Sequence, residues 1–400
     1  MPAPDRRLAD PRIAMFIHRI DERAIAGIVI RVCEWLAREG VDVTLFATAA
    51  DPRPRRGISG DVRVDVLGSL VDRTTFAVPR LVRALRRARA DVLFAHGNGP
   101  NRAAVLAREI SEVDTRVVTV DHNHYSTYIS PSGGGYSYRR LRNLLTGLLY
   151  ARADCVAGVA PGIVEDLVGR FGGEAWETRV LPDPGRDPEE IARLSAEPLD
   201  HPWYRRDREH RLVCSVANVI PRKGVHVLVE ALPGIRERAG DVRLVVVGRT
   251  DNPVYLDTVK RAATERGVGE SVSFVGFREN PLPWMAGADA FALTSLNEGC
   301  PRVLSEAMAC GTPVVAADCP TGPAFILEEA RAGLLVPVAD APATAEAIAS
   351  VLLDDELREE LVRKGRERAR HFTPRRVAEA YLDAARHVVR GRRSTGPRPG

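Results

Sequence analysis

The sequence predicts an α/β protein made of two doubly wound domains that face each other across a cleft. Short apolar runs alternate with helical stretches along the 400 residues, which is typical of βαβ units and parallel sheets. The length exceeds what one ordinary core needs and suits two domains. Ligands of such sheets bind beyond the carboxyl ends of the strands, so we expect the site in the loops that follow strands.

In the first half, apolar runs predict strands and longer amphipathic stretches predict helices. The predicted strands are Arg12–Ile17, Val41–Phe46, Val62–Leu67, Asp91–Ala95, Arg116–Val120 and Cys155–Val159. The predicted helices are Ile25–Arg38, Pro79–Arg89, Arg102–Ile110 and Leu141–Arg152.

The second half repeats the pattern. Its predicted strands are Leu212–Val216, Arg243–Val247, Ser271–Val275, Asp289–Thr294 and Pro313–Ala317. Its predicted helices are Val225–Arg238, Pro253–Arg266 and Arg302–Cys310, with two or three more within 342–390.

The segment 181–210 is rich in Pro, Asp, Arg and Glu and lacks a strand pattern, so we interpret it as the connection between domains. The predicted organisation is a first domain over 1–182, a linker over 183–210, a second domain over 211–372, a helix over 373–390 that packs back towards the first domain, and a disordered basic tail over 391–400.

Composition excludes several classes of protein. The net charge is +4, from 57 basic and 53 acidic residues, and this near balance does not indicate a protein that binds nucleic acid. The six cysteines form no C-x-x-C pair, which disfavours a zinc site or a disulfide framework and fits a reducing cytoplasm. No apolar run reaches the roughly 18 residues of a spanning helix. We therefore expect a cytoplasmic protein, at most peripheral at the inner membrane face.

Residues 297–318 form the most informative segment. A strand precedes Glu298, Gly299 and Cys300, and a helix follows Pro301, which suits a first helical position. The amides of Cys300, Arg302 and Val303 would then form a phosphate cradle at the helix N-terminus. Glu298 and, one turn inside, Glu306 could each accept hydrogen bonds from sugar hydroxyls. In the alternative interpretation, Glu298 is only a charge at the start of the helix and Glu306 is an exposed surface residue.

Two more loops follow strands in the second half. Lys223 lies just before a helix, where its ammonium could neutralise a departing diphosphate, or it is a solvated loop cation. It is one of three lysines among 57 basic residues, so it is a better clue than any single arginine. In the other loop, Gly248 permits close backbone approach beside Arg249.

In the first half, the strand that ends at Val120 is followed by Asp121, His122, Asn123 and His124. Polar residues at a strand end are expected at a site, although a structural role is equally compatible, and a metal site would need a ligand from another element. Two further segments are expected on the acceptor side. One is the turn with His96 and Asn98, and the other is the Gly-rich loop 126–138 with Tyr136, which could also be a disordered surface loop.

The helix Pro79–Arg89 carries four arginines near one face, at 80, 83, 86 and 87. Such a face can lie on anionic lipid, or it can be simply solvated. Four motifs are missing from the strand-to-helix turns: a P-loop, a G-x-S-x-G, an intact G-x-G-x-x-G and a D-x-D metal motif. Their absence disfavours P-loop hydrolysis, α/β-hydrolase chemistry, dehydrogenation and metal-dependent sugar transfer.

The second half resembles the family-four retaining glycosyltransferases, which have the GT-B fold of two Rossmann-like domains. EGCPRVLSE reads as their E-x7-E element, VIPRKG as their KG loop and VGFRENPLPWMAGAD as their base-binding turn. The linker DHPW at 200–203 resembles one bacterial subgroup. The resemblance covers about 180–345 well and the first domain weakly.

The resemblance implies a role for each matching residue. Lys223 would bind the donor diphosphate, Glu306 the ribose hydroxyls and Glu298 the transferring sugar. Phe277 and Arg278 would flank the base, and His122, rather than His124, would lie near the reacting sugar. Transfer would retain the anomeric configuration without a metal or cofactor, with a donor phosphate oxygen helping to deprotonate the acceptor.

Three departures from the family pattern bear on these roles. Asn218 stands where an Arg usually precedes the KG loop, so Arg222 or Arg249 would assist Lys223. DERAIAG at 21–27 replaces a glycine pair after the first strand, and Asp183 replaces a linker Asn.

The sequence therefore predicts a glycosyltransferase that moves a sugar from a nucleoside-diphosphate sugar, with UDP favoured over GDP, to a glycan or lipid-linked acceptor in cell-surface polysaccharide or glycoconjugate synthesis. Two alternatives stay open: a non-hydrolysing UDP-sugar epimerase of the same architecture, and a non-catalytic sugar-nucleotide binding protein. The sequence names neither the sugar nor the acceptor.

Overall fold

A computed structural model describes residues 10–21, 24–51, 57–68, 74–127, 136–205 and 207–395. The chain divides into two compact units: unit 1 is 1–184 with 374–400, and unit 2 is 185–373. Each unit contains one parallel sheet flanked by helices, as predicted.

Unit 1 has a seven-stranded sheet in the order β3-β2-β1-β4-β5-β6-β7. Its strands are β1 (Ile13–Ile20), β2 (Val43–Ala50), β3 (Arg63–Val66), β4 (Val92–His96), β5 (Arg116–Asp121), β6 (Cys155–Gly158) and β7 (Thr178–Val180). Its helices are Ala24–Arg38, Val78–Ala88, Asn98–Ser111, Tyr136–Tyr150, Pro161–Phe171 and Pro374–Thr395. The core lies between sheet and helices, with Phe16, Phe46, Leu81 and Leu93 fully or almost fully buried.

Unit 2 has a six-stranded sheet in the order β10-β9-β8-β11-β12-β13. Its strands are β8 (Arg211–Val216), β9 (Val242–Val247), β10 (Val272–Gly276), β11 (Ala290–Leu293), β12 (Val314–Ala317) and β13 (Leu334–Val336). Its helices are Pro188–Ser195, Val225–Ala239, Pro253–Glu265, Leu282–Ala286, Arg302–Cys310, Gly322–Ile326, Ala341–Leu353 and Asp355–Ala369.

The strand order places the switch points. In unit 2 the order reverses between β8 and β11, so the loops after these two strands diverge and leave a crevice between them. In unit 1 the reversal lies between β1 and β4. The predicted site residues of unit 2 include Lys223, which follows β8, and Glu298, which follows β11.

Three expectations need correction. The segment 185–210 is part of unit 2 and contains the helix Pro188–Ser195, because Pro188 and two acidic residues suit a helix start. The last helix continues to Thr395, because the sequence has no proline between Pro374 and Pro397, so 391–395 are helical. Residues 396–400 lie outside the described residues. The helix predicted from Leu141 begins at Tyr136.

Besides Pro188–Ser195, five elements in the described part of the chain were not predicted. These are the helices Pro161–Phe171, Leu282–Ala286 and Gly322–Ile326 and the strands β7 and β13. Four of these have only three to five residues, too few for periodicity to distinguish them from loops.

Candidate functional site

Lys223 and Glu298 meet in unit 2 across the β8/β11 switch point. Lys223 Nζ lies 2.5 Å from Glu298 Oε1, and the Ser295 hydroxyl donates to the same oxygen at 2.6 Å. Arg222 Nη1 lies 3.6 Å from Glu298 Oε2. Both Lys223 and Glu298 are largely buried, with 18% and 7% of their side chains exposed. We call these four residues the Lys223–Glu298 cluster.

A tight backbone turn brings Lys223 to this place. Gly224 has a φ of +60°, and a Cβ there would lie 1.9 Å from the carbonyl oxygen of Thr294. The Thr294 hydroxyl in turn donates to Gly224 O at 2.9 Å. Because no side chain fits between the two loops, glycine is required for the loop after β8 to touch the end of β11.

The helix Arg302–Cys310 begins beside Glu298, but its start differs from the prediction. Pro301 has an extended conformation with a ψ of 92°, so it is the N-cap residue and not the first helical residue. The Leu304 amide donates to Pro301 O at 3.0 Å, and Cys300 lies before the cap. The N-terminal amides are therefore those of Arg302 and Val303, without Cys300.

Glu306 is buried inside this helix at 6% exposure and is not the surface residue of the alternative interpretation. Arg186 Nε donates to Glu306 Oε1 at 3.2 Å and Arg186 Nη1 donates to Glu190 Oε1 at 2.5 Å. Sequence reasoning missed Arg186, because it lies in the segment interpreted as a linker. The signal available in the sequence was the glycine at 185 directly before this arginine. The structure explains that glycine, because a Cβ at 185 would approach Ser305 Oγ to 3.1 Å.

Thr321 is a second missed residue. Its hydroxyl donates to the carbonyl oxygens of Glu298 and Gly299 at 2.9 and 3.2 Å, and it holds a strained φ of 85°. This contact fastens the backbone that carries Glu298.

A second loop pair involves Asn218 and Arg249. Asn218 Oδ1 accepts from the Arg249 amide at 3.1 Å, so the residue that departs from the family pattern ties the two loops together. A Cβ at Gly248 would lie 2.1 Å from Ala217 O, which confirms the predicted close approach. The Arg249 guanidinium lies 4.6 Å from the centre of the Phe277 ring, whereas Arg278 lies 5.9 Å from the ring of Trp284. Phe277 is 55% exposed, so its ring is accessible.

In unit 1, the structure brings together His96, His122 and Asp183, all buried. His96 Nδ1 lies 3.2 Å from His122 Nε2, and His122 Nδ1 lies 3.1 Å from Asp183 Oδ1 without hydrogen-bond geometry. Burial and the neighbouring His122 hold the pKa of His96 well below its usual range. We call these three residues the His96–His122 cluster. From the sequence, Asp183 is identified only as a departure from the family pattern.

The cluster leaves polar atoms without hydrogen-bond partners. His96 Nε2 is buried and has no hydrogen-bond partner among the described residues. The buried Oδ1 of Asn98 has none in that part of the chain either. Buried polar atoms of this kind are expected where a ligand completes the hydrogen bonding.

His124 has a different partner. Its Nδ1 lies 3.5 Å from Asp166 Oδ2, and Asp166 also accepts from the Ser126 amide at 3.0 Å. Over the described ranges, no group of three or more His, Cys, Asp and Glu residues could hold a metal ion. The loop residues 128–135 lie outside the described residues, and so does the side chain of Tyr136.

Asp121 lies at the end of β5, directly before His122. Its Oδ2 accepts from the Tyr150 hydroxyl at 2.9 Å and from Asn101 Nδ2 at 3.0 Å. Burial raises the pKa of Asp121 to about 6.

No helix in the described part of the chain combines the length and the apolar character needed to cross a membrane. In the helix Val78–Ala88, Arg86 bonds to Ser111 O and Arg87 to Asp65, while the apolar side chains are buried.

The sequence matches two family models. "Glycosyl transferases group 1" covers residues 175–368, and "Glycosyl transferase 4-like domain" covers residues 25–184. Among curated proteins, the chain is 30% identical over 256 residues to the lipopolysaccharide core biosynthesis glycosyltransferase LpsE of Rhizobium meliloti, covering 62% of this chain and 69% of that protein.

Another relative is the N-acetylgalactosamine-N,N'-diacetylbacillosaminyl-diphospho-undecaprenol 4-alpha-N-acetylgalactosaminyltransferase of Campylobacter jejuni. It is 27% identical over 300 residues, covering 73% of this chain and 75% of that protein. A GDP-mannose-dependent phosphatidylinositol monomannoside mannosyltransferase of Mycolicibacterium smegmatis is 36% identical over 152 residues, covering 36% of this chain and 39% of that protein.

Solved structures share the fold at low identity. Anabaena Alr3699/HepE in complex with UDP superposes with a TM-score of 0.76 at 19% identity, covering 94% of this chain and all of that one. A glycosyltransferase from Rickettsia africae gives a TM-score of 0.78 at 14% identity, covering 96% of this chain and all of that one.

Proposed function

Because the chain belongs to the group 1 glycosyltransferases and has the GT-B fold, we propose that it transfers a sugar from a nucleoside-diphosphate sugar to a glycan or lipid-linked acceptor. The names of its relatives support lipopolysaccharide or glycolipid synthesis as the setting. One relative is GDP-mannose-dependent, and a solved structure of the same fold contains UDP. The proposal therefore includes both UDP and GDP as the donor nucleotide.

The observation that carries this proposal is the Lys223–Glu298 cluster beside the start of the helix Arg302–Cys310. A diphosphate placed here would meet the Lys223 ammonium, the Arg222 guanidinium and the amides of Arg302 and Val303. Negative charge grows on the diphosphate as the glycosidic bond breaks, and fixed positive groups stabilise it most at that stage.

Glu298 would change partners on donor binding. In the structure it is held by Lys223 and Ser295. A diphosphate would take over the ammonium, and the released carboxylate oxygen would accept a hydroxyl of the sugar. The Lys223 ammonium would stay paired with an anion, and Glu298 would keep the hydrogen bond from Ser295 and gain one from the sugar hydroxyl. Neither buried charge would be left isolated.

Glu306 is proposed to hold the ribose hydroxyls, with Arg186 as the residue that orients its carboxylate. Glu306 Oε1 accepts from Arg186, which leaves lone pairs of the carboxylate for a diol. The exposed Phe277 ring with Arg249 against it is proposed as the stacking surface for the base, with Arg278 at its edge.

On the acceptor side, the His96–His122 cluster is proposed to bind hydroxyls near the reacting sugar, with Asn98 beside it. His124 and Tyr136 stay secondary candidates. We propose that transfer is retaining and metal-independent, with a donor phosphate oxygen receiving the acceptor proton. No cofactor is part of the proposal.

A donor panel tests the proposal. Purified protein is incubated with UDP- and GDP-sugars, with and without glycan and lipid-linked acceptors, and released nucleotide is measured. We expect release that requires an acceptor, persists in EDTA and gives a product whose anomeric configuration, read by NMR, matches the donor. Conversion of a UDP-sugar into its epimer without an acceptor would instead establish an epimerase. Donor binding with no turnover over the whole panel would establish a binding protein.

A further inference from the structure

Thr321 holds a backbone conformation that its own side chain makes unfavourable. It is the N-cap residue of the helix Gly322–Ile326, with a φ of 85° and a ψ of −70°. A β-branched residue at positive φ is a genuine outlier, because its Cβ crowds the backbone. Strain of this kind persists only where the surrounding structure maintains it, and it is concentrated at functional sites.

The hydroxyl of Thr321 connects this strained residue to the candidate donor site. It donates to Glu298 O at 2.9 Å and lies 3.2 Å from Gly299 O. Glu298 and Thr321 also form an isolated parallel β-bridge. The segment 298–301 lies outside the strands and helices, so its position depends on contacts such as these.

The residue after Thr321 lets the two segments approach closely. A Cβ at Gly322 would lie 2.4 Å from Gly299 O and 2.6 Å from Pro301 Cδ. Because no side chain fits there, the backbone at 321–322 packs directly on 299–301. Glu298 is therefore fixed at two points: its backbone by Thr321, and its carboxylate by the Lys223–Glu298 cluster.

The far end of the helix Gly322–Ile326 is anchored by Arg368. Its guanidinium donates to Phe325 O at 2.7 Å and to Ile326 O at 3.1 Å. It also lies 5.5 Å from the centre of the Phe325 ring and 4.9 Å from that of the Phe372 ring. A helix of five residues has little stability of its own, so Arg368 supplies the support from which Thr321 acts.

The backbone contact matters most when Glu298 changes partners. Under the proposed function, a donor diphosphate takes the Lys223 ammonium and the Glu298 carboxylate turns to a sugar hydroxyl. One of the two points that fix Glu298 is then weakened, while the contact with Thr321 remains. A carboxylate whose backbone is already held in place binds the reacting sugar without a further ordering cost.

We propose that Thr321 is a positioning residue for sugar transfer: its hydroxyl holds the backbone of Glu298 while the Glu298 carboxylate binds the transferring sugar. The proposal deepens the proposed function and rests on it for the role of Glu298. The contact between the two segments does not depend on that role.

Three variants separate the hydroxyl from the shape of the side chain. Thr321→Ser keeps the hydroxyl, Thr321→Val keeps the branched shape, and Thr321→Gly removes both the hydroxyl and the strain. We expect Thr321→Val and Thr321→Gly to lower kcat by about tenfold or more, and Thr321→Ser to stay within about threefold of the wild type. Because glycine adopts this φ freely, its loss of rate cannot be ascribed to a misfit of the backbone.

Calorimetry adds a readout that loss of folding would not give. The valine and glycine variants should bind the nucleotide sugar more weakly but bind the nucleoside diphosphate, which lacks the sugar, within about threefold of the wild type. Equal weakening for both ligands would assign Thr321 a general structural role and overturn the proposal. Circular dichroism verifies that each variant is folded.

Hydrogen exchange of the segment 297–303, measured by mass spectrometry without ligand, tests the contact independently of turnover. Exchange should be faster in Thr321→Val and Thr321→Gly and unchanged in Thr321→Ser. The matched control is Thr312→Val, which loses a comparable hydrogen bond from Thr312 Oγ1 to Met285 O at 2.8 Å. It should leave both the exchange of 297–303 and kcat unchanged.

Two results would overturn the proposal: wild-type exchange in the valine and glycine variants, or faster exchange with an unchanged kcat. Failure of the proposed function gives a different result. In that case exchange would be faster in both variants, but the wild type would transfer no sugar from any donor of the panel.

Discussion

Units 1 and 2 have the same kind of parallel sheet but build their candidate sites differently. In unit 2 the clustered charges come from loops after strands at the switch point, and each carboxylate has a basic partner: Lys223 for Glu298 and Arg186 for Glu306. In unit 1 the cluster joins the ends of two strands to Asp183, which is 61 residues beyond His122.

The difference explains why one half is easier to interpret from sequence than the other. A loop that must touch a neighbouring strand needs glycine at a fixed place, and Gly224 and Gly248 leave that signature in the sequence. A buried pair such as His122 and Asp183 leaves no such signature, because its members meet only after the sheet has formed. The following predictions test whether the two clusters also differ in what they do.

Removing Lys223 should have the largest effect. Lys223→Ala leaves the diphosphate without its ammonium, so kcat should fall about a hundredfold to a thousandfold. Lys223→Arg should rescue it in part, since a guanidinium is planar and larger. Initial rates of nucleotide release at saturating donor give the measurement, with Lys260→Ala as the lysine control. Full activity of Lys223→Ala would transfer the role to Arg222 or Arg249.

The His96–His122 cluster should affect transfer without affecting donor binding. His122→Asn and Asp183→Asn should each lower transfer, His122→Asn by about a hundredfold, because acceptor groups near the reaction are misplaced. Calorimetry with the nucleoside diphosphate should give unchanged affinity, and exposed His387→Asn is the control. If either variant weakens nucleotide binding as much as Glu306→Ala does, the division of roles between the units is wrong.

Glu306→Ala should weaken binding of the nucleoside diphosphate by about 10- to 100-fold, since a hydrogen bond to a charged group is worth about 1.5–3 kcal/mol. Arg186→Lys, which keeps the charge but loses the planar contact, should weaken it less. Calorimetry measures both, and Glu346→Ala on a distant helix serves as control. Unchanged affinity in Glu306→Ala would remove this residue from the donor site.

The smallest expected effect is on stability and concerns Asp121. Its folded pKa of about 6 lies above the ordinary value of 3.8, so folded protein holds a proton that the unfolded chain has lost between these pH values. The resulting stabilisation is present below about pH 4 and is lost as pH rises through 6.

Asp121→Asn mimics the protonated form. The wild type should therefore lose on the order of 2 kcal/mol relative to this variant between about pH 4 and pH 7. Urea unfolding of unit 1 at several pH values measures the difference. The control is Asp91→Asn. The wild type should not lose stability relative to this variant over the same pH range, because the hydrogen bond and charge of Arg12 lower the pKa of Asp91 despite partial burial. Parallel pH profiles for wild type and Asp121→Asn would contradict the prediction.

Much of the fold could be predicted from the sequence. The alternation of apolar runs with amphipathic stretches requires parallel strands covered by helices, and the longer elements were found near their observed bounds. The elements that were missed, such as β13 with three residues, are too short to contain a period. The helix inside 185–210 was missed because a Pro-rich, charged composition resembles that of a linker.

The candidate site also has a part that could be predicted from the sequence and a part that could not. The sequence by itself determined which loops could carry charge to a ligand, because spacing, strand ends and glycines are local properties of the chain. It could not determine which charges pair, because Arg186 and Glu306 are 120 residues apart and Lys223 and Glu298 are 75 apart. Nor could it show that the leucines of Tyr136–Tyr150 stay exposed while the apolar residues of Val78–Ala88 are buried. Both helices have an apolar stripe, and only the packing of the folded unit decides which stripe is covered.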